Sequence, residues 1–127
     1  MSYGFNHKHG LVLIKARLWG PAGRAALSLA LDTGATGTLV NQTRLLELGY
    51  DTSTTKDLHQ ITTGGGIEFV PLVSLTKIVT LDQERVDWPV LCHNLPPSAS
   101  VDGLLGLDFF GGLNLNIDFR SGLLTLS

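Results

Sequence analysis

Leu27-Ser28-Leu29-Ala30-Leu31-Asp32-Thr33-Gly34-Ala35-Thr36 begins as a strand and ends as a turn. Leucines at 27, 29 and 31 alternate with Ser28 and Ala30, the period of two expected of a half-buried strand. The small second face implies close packing there. Asp32-Thr33-Gly34 then interrupts the pattern, so a carboxylate sits where rigid backbone would hold it at the mouth of a cleft. The triplet alone is short enough to arise by chance. A turn Asp satisfying nearby amides is the plainer explanation of it.

Outward from this stretch the same grammar repeats. Upstream, residues 11–18 are apolar and alternate in their second half, and Gly20-Pro21-Ala22-Gly23 turns them into the strand 25–31. Downstream, residues 38–40 resume extended structure. Residues 43–48 fit a short helix that Gly49 ends. Residues 51–57 are a polar loop. Residues 58–63 and 67–72 flank Gly64-Gly65-Gly66, a hairpin with a pliable tip. Pro71 confines its strand to an edge or a bulge. Residues 73–81 and 85–91 make a second hairpin about Asp82-Gln83-Glu84, and 94–100 is a loop. Residues 107–110 allow one helical turn. Leu113, Leu115, Ile117 and Phe119 alternate with Asn114, Asn116 and Asp118, and Arg120-Ser121-Gly122 turns them into the strand 123–126.

Many short strands and one or two short helices predict an all-β, barrel-like domain. The chain has 127 residues, 43% hydrophobic and 16% charged, which suffices for one domain with a true core. We read residues 1–9 as a flexible N-terminal segment and 10–127 as that domain. A net charge of -2 gives no basic footprint for nucleic acid. No apolar run approaches the roughly 18–20 residues of a membrane span. Residues 1–10 are polar and lack the apolar core of a signal peptide. The single cysteine, Cys92, excludes an internal disulfide and allows a reducing compartment. The expectation is therefore a cytoplasmic chain, with a domain cut from a longer or membrane-tethered precursor as the alternative.

About seventy residues after Asp32 stands Val101-Asp102-Gly103-Leu104-Leu105-Gly106-Leu107-Asp108, two apolar residues and a glycine opening a short helical turn. The two loops, with the glycine-rich hairpin between them, resemble the retropepsin-like aspartic proteases over roughly residues 10–126. In that family a strand ends in Asp-Thr-Gly-Ala, a hairpin flap follows, and a second loop runs through apolar-apolar-Gly into a helix. The resemblance implies a closed β-barrel-like domain that is half of a two-fold dimer. It implies that Asp32 is the catalytic carboxylate and that Thr33 bonds across the dimer to its symmetry mate. Gly34 would let the substrate backbone approach, with Ala35 completing the loop. Thr62, Thr63, Gly64, Gly65 and Gly66 would form the flap. Leu104 would line side-chain pockets, and Gly103, Leu105 and Gly106 would pack the second loop beneath the Asp32 turn.

The implied activity is an aspartic endopeptidase that hydrolyses peptide bonds with water activated between the Asp32 carboxylates of a homodimer. No cofactor or metal is implied. The chain has one Asp-Thr-Gly and no second Asp-Thr/Ser-Gly, because Asp102-Gly103 lacks the middle residue, so the second carboxylate has to come from another copy. Retroviral members commonly carry an acidic residue two places after the motif glycine and an Arg after the second glycine. Here those places hold Thr36 and Leu107. The alternative of another class is a catalytically silent dimeric peptide-binding or scaffold module of the same fold, since a retained motif does not prove turnover.

The remaining candidates carry less. His7 and His9 could share a face, but without a third ligand nearby they read as a solvated pair. Cys92 and His93 point to opposite faces of a strand, giving a structural thiol beside an exposed imidazole. Gly64-Gly65-Gly66 lacks the Lys-Ser/Thr of a phosphate loop. Trp19 and Trp88 read as core or interface aromatics.

Overall fold

The structure, a computed structural model, describes residues 2–53 and 57–127. Among these, ten strands and one α-helix follow in chain order: β1 (Ser2–Gly4), β2 (Leu13–Gly20), β3 (Gly23–Leu31), β4 (Leu39–Val40), α1 (Gln42–Glu47), β5 (Leu58–Thr63), β6 (Gly66–Thr80), β7 (Gln83–Cys92), β8 (Gly103–Leu105), β9 (Leu115–Asp118) and β10 (Leu123–Leu126). Residues 54–56 of the expected polar loop, and the Thr63 side chain, lie outside the described set.

Strand β2 shows why the sheet curls. Ile14, Ala16 and Leu18 are buried while Lys15 and Arg17 face out, so one face must find a core. It pairs antiparallel with β3 through its whole length, and Leu27 and Leu29 bury opposite. Neighbours then run β2-β3-β8-β4-β7-β6, and β6 returns to β2 through Arg17↔Val79 to Trp19↔Lys77. Six strands thus close a barrel with no free edge among them. Phe109, Leu75, Ile78 and Leu105 fill its interior. The expected all-β barrel stands.

Strand β6 corrects one expectation. The sequence pattern divides residues 67–81 between two hairpins, but Gly66–Thr80 form one 15-residue strand. Its first part pairs with β5 up to Leu58↔Pro71, and from Leu72↔Leu91 onward it pairs with β7. Pro71 has no N–H to give, so it falls at the handover between partners. There Leu72 sends its N–H to the Asp57 carbonyl at 2.8 Å.

The β6–β7 turn is also displaced from its expected place. Thr80 pairs with Gln83, leaving Leu81 and Asp82 as the two central residues, both left-handed with φ of 52° and 55°. That is the hand that matches strand twist in a two-residue hairpin. Leu81 accepts it because its side chain is buried, 8% exposed.

The segment 1–9, expected to be flexible, contains β1, which pairs antiparallel with β10 from Ser2↔Thr125 to Gly4↔Leu123. Tyr3 explains the anchoring. It packs half-buried against the core, and its hydroxyl donates to Asp82 Oδ2 at 2.8 Å. With β9 these strands make a separate sheet in the order β1-β10-β9.

Helix α1 ends where Gly49 was expected to end it. Gly49 adopts φ +92°, its N–H donates to Leu46 O, and Tyr50 N–H reaches back to Leu45 O. This pair of bonds satisfies the last helical carbonyls and favours a residue without Cβ. The expected helical turn at 107–110 is a 3-10 turn (Leu107–Phe110). Among the described residues no helix is long and apolar enough to cross a membrane.

Candidate active site

Strand β3 carries Asp32 to the mouth of a groove. Its end lies beside parallel β8, Leu31 opposite Leu105, and the ladder continues one step as Asp32 N–H donates to Leu105 O at 3.0 Å. The backbone then folds back on the carboxylate. Gly34 N–H donates to Asp32 Oδ1 at 2.9 Å and Ala35 N–H to Asp32 O at 3.1 Å. A bond from an amide to an ionised carboxylate is charge-assisted, so this turn holds the side chain in one orientation. Asp32 and Ala35 are half-buried, whereas Thr33, Gly34 and Thr36 face solvent.

The second loop lies against this turn. Leu107 N–H donates to Ala35 O at 2.8 Å and Asp108 N–H to Thr36 O at 3.2 Å. Gly106 is the point of closest approach, since a Cβ there would stand 2.6 Å from Gly37 C and 2.9 Å from Ala35 O. Gly103 is confined more tightly still, but against the Leu39 carbonyl of β4 rather than the Asp32 turn. Leu105 is buried and Leu104 opens toward the groove. Asp102 is occupied elsewhere: its Oδ2 accepts Ser28 N–H at 2.9 Å and its Oδ1 lies 3.2 Å from Arg44 Nε.

The groove holds about 1170 Å³ between the Asp32 turn, the β5–β6 hairpin and residues 93–96. That exceeds the roughly 300–1,000 Å³ of small-molecule pockets and suits an extended chain. Leu39, Leu72, Leu91 and Leu104 give it apolar walls. The hairpin contributes His59, Ile61, Thr62, Gly64 and Glu68, so the glycine-rich tip borders the same space as Asp32. Gly64 and Gly65 form the turn, with Thr63 opposite Gly66. A second concavity of about 750 Å³, between β1, β2 and the β6–β7 turn, contains no residue of either loop.

Several groove residues were not legible as such. His93, expected to be simply exposed, turns into the groove with its Nε2 3.7 Å from Glu68 Oε2, an ion pair whenever the imidazole is protonated. Cys92 before it is buried as expected. Burial pushes its thiol up, opposed by a hydrogen bond with Thr52. Asn41 steadies the rim, accepting Leu95 N–H at 2.9 Å while its amide donates to Val101 O at 3.2 Å. Asn94 Oδ1 accepts Gln42 N–H at 2.8 Å, satisfying the first turn of α1 from outside the helix. Thr38 and Asp108 also line the groove. The signal that could have revealed Thr38 is a hydroxyl inside the otherwise apolar run at a strand start. Among the described residues no three His, Cys, Asp or Glu side chains gather as metal ligands.

An aspartyl protease family model matches residues 15–109, which takes in both loops and the hairpin. The chain belongs to the aspartyl protease family. No curated protein matches the sequence of this chain. Its fold is similar to the crystal structure of a retropepsin-like aspartic protease from Rickettsia conorii, with a TM-score of 0.73 at 20% identity, over 99% of this chain and 88% of that one. The family resemblance read from the two loops is therefore correct, and the fold is retropepsin-like.

Proposed function

We propose that this member of the aspartyl protease family is an endopeptidase that works as a homodimer with one Asp32 from each copy. The observation that carries the reading is the placement of Asp32. Its carboxylate is held by Gly34 N–H at a strand end, half-exposed, on a groove sized for an extended peptide and bordered by a glycine-tipped hairpin. One Asp-Thr-Gly per chain leaves half of a carboxylate pair, and exposed Thr33 beside it is free to meet a second copy.

Two carboxylates brought together cannot both ionise, so they share one proton, the general arrangement of aspartic proteases. The ionised member takes a proton from a bridging water, which attacks the scissile carbonyl. The protonated member donates to the carbonyl oxygen. Thr33 would lock the two turns across the dimer axis. Gly34 would admit the substrate backbone, and Ala35, with Leu104, would border its side chains. The hairpin with Thr62, Thr63, Gly64, Gly65 and Gly66 would act as a flap that closes over the peptide and excludes water. Gly103, Leu105 and Gly106 would support the turn from below.

The test is digestion of a broad peptide library by wild type and by Asp32→Asn, with dimer state followed by sedimentation. Cleavage by wild type that falls on dilution and vanishes in Asp32→Asn supports the reading. Undiminished cleavage by a strict monomer, or by Asp32→Asn, refutes it. Peptide binding without cleavage by a stable dimer would instead favour the silent binding module.

A further inference from the structure

The Asp32 turn and the second loop are joined by a side-chain relay as well as by backbone. Thr38 is 1% exposed, and its hydroxyl has two partners. It donates to Asp108 Oδ1 at 2.8 Å and accepts the N–H of Gly106 at 3.2 Å. A hydroxyl has one proton and two lone pairs. Once Asp108 takes the proton, a lone pair is aimed at Gly106, the residue in closest contact with the Ala35 and Gly37 carbonyls. Asp108 is itself tied to the Asp32 side by its N–H to Thr36 O. The relay therefore starts on the second loop, crosses to the strand that leaves the Asp32 turn, and returns to the second loop at Gly106. It fixes the spacing of the two loops through one buried bond, Gly106 N–H to the Thr38 hydroxyl, and one half-buried bond at the groove wall, Thr38 to Asp108.

From this relay we infer that Asp108 and Thr38 are positioning residues for Asp32. They act through the loop spacing and not by touching the substrate's reacting atoms. The inference rests on the proteolytic reading of the groove. A misplacement of about 1 Å at a reacting group can lower turnover about 10²-fold. Loss of the relay is thus expected in kcat, with substrate binding along the rest of the groove little changed.

The experiment compares Thr38→Val, Thr38→Ser, Asp108→Ala and Asp108→Asn as folded dimers. Thr38→Val and Asp108→Ala should lower kcat by about ten- to a hundredfold with KM within about twofold. Thr38→Ser restores the hydroxyl and Asp108→Asn restores an acceptor oxygen, so each should recover most of that loss. A relay that only stabilises the fold would lower melting temperature and leave kcat of the folded fraction unchanged, which would overturn the inference. Should Thr38→Val not fold, the pair Asp108→Ala and Asp108→Asn decides alone. Amide exchange at Gly34, whose N–H is bound to Asp32, gives a readout that needs no turnover. Faster exchange in Asp108→Ala, restored in Asp108→Asn, supports the relay. Unchanged exchange overturns it, even if wild type cleaves no peptide and the proteolytic reading itself has failed.

Discussion

Replacing Gly106 by Ala puts one methyl group into the tightest contact between the two loops. The new Cβ would stand 2.6 Å from Gly37 C, 2.7 Å from Gly37 O and 2.9 Å from Ala35 O. All three atoms are backbone, so no side chain can swing aside and the Asp32 turn itself has to move. Overpacking a well-filled site costs about 1–3 kcal/mol, and a purely backbone clash belongs at the upper end. In a chain of 127 residues, about 3 kcal/mol corresponds to a fall of roughly 10 °C in melting temperature. That is a large part of the roughly 5–15 kcal/mol that holds a domain folded. Turnover should fall about 10²-fold, because the displaced carbonyls belong to the turn that aims Asp32. Gly64→Ala is the control. A Cβ there meets nothing within 4 Å, so its melting temperature should stay within about 2 °C of wild type. Thermal melts and peptide cleavage at matched dimer concentration measure both effects. A Gly106→Ala melt within 3 °C of wild type, on the order of 1 kcal/mol, would refute the close-packing argument.

Three other perturbations test separate parts of the structure. On the proposed proteolytic reading, Ala35→Ser places a hydroxyl beside the Asp32 turn, and donation to the charged carboxylate favours ionisation, so the alkaline limb of the rate–pH profile should move toward acid. That limb belongs to the coupled pair, and one that stays put or moves alkaline contradicts the argument. Tyr50→Phe removes the hydroxyl that donates to Trp19 O at 2.5 Å and accepts Thr76 N–H at 2.8 Å, opposite the break in the β6–β7 ladder where Asp87 takes φ +49°. Urea unfolding should show a loss of about 1–3 kcal/mol, and a loss under 0.5 kcal/mol, well below that range, would mean that water replaces the hydroxyl. Cys92 is 5% exposed with its thiol pushed up by burial, so it should react with a disulfide reagent at pH 8 far more slowly in the native than in the unfolded protein. Equal rates would place Cys92 at the surface.

Local pattern carried much of this molecule. Alternation in residues 13–18, 27–31 and 115–118 identified strands because one face of each must leave water, whatever covers it. Gly49 ended its helix through a backbone conformation that its own lack of Cβ permits. Asp32 could be placed at a strand end from its own contiguous motif, and Gly106 beneath it through the family resemblance that the second motif carries. The pairing of segments far apart was decided only by the tertiary structure. Strand β3 lies parallel to β8 some seventy residues away, and β6 turns back to close on β2; neither carries a local mark of its partner. The same reason hid the continuity of β6 through Pro71, the docking of β1 by Tyr3, and the turn of His93 into the groove. Thr38 and Asp108 are unremarkable residues one at a time, and with Gly106 they become a relay only when the barrel brings two turns within a hydrogen bond of each other. A side chain's chemistry is local, but its hydrogen-bond partner is set by which strands share the core, and that depends on the whole chain folding at once.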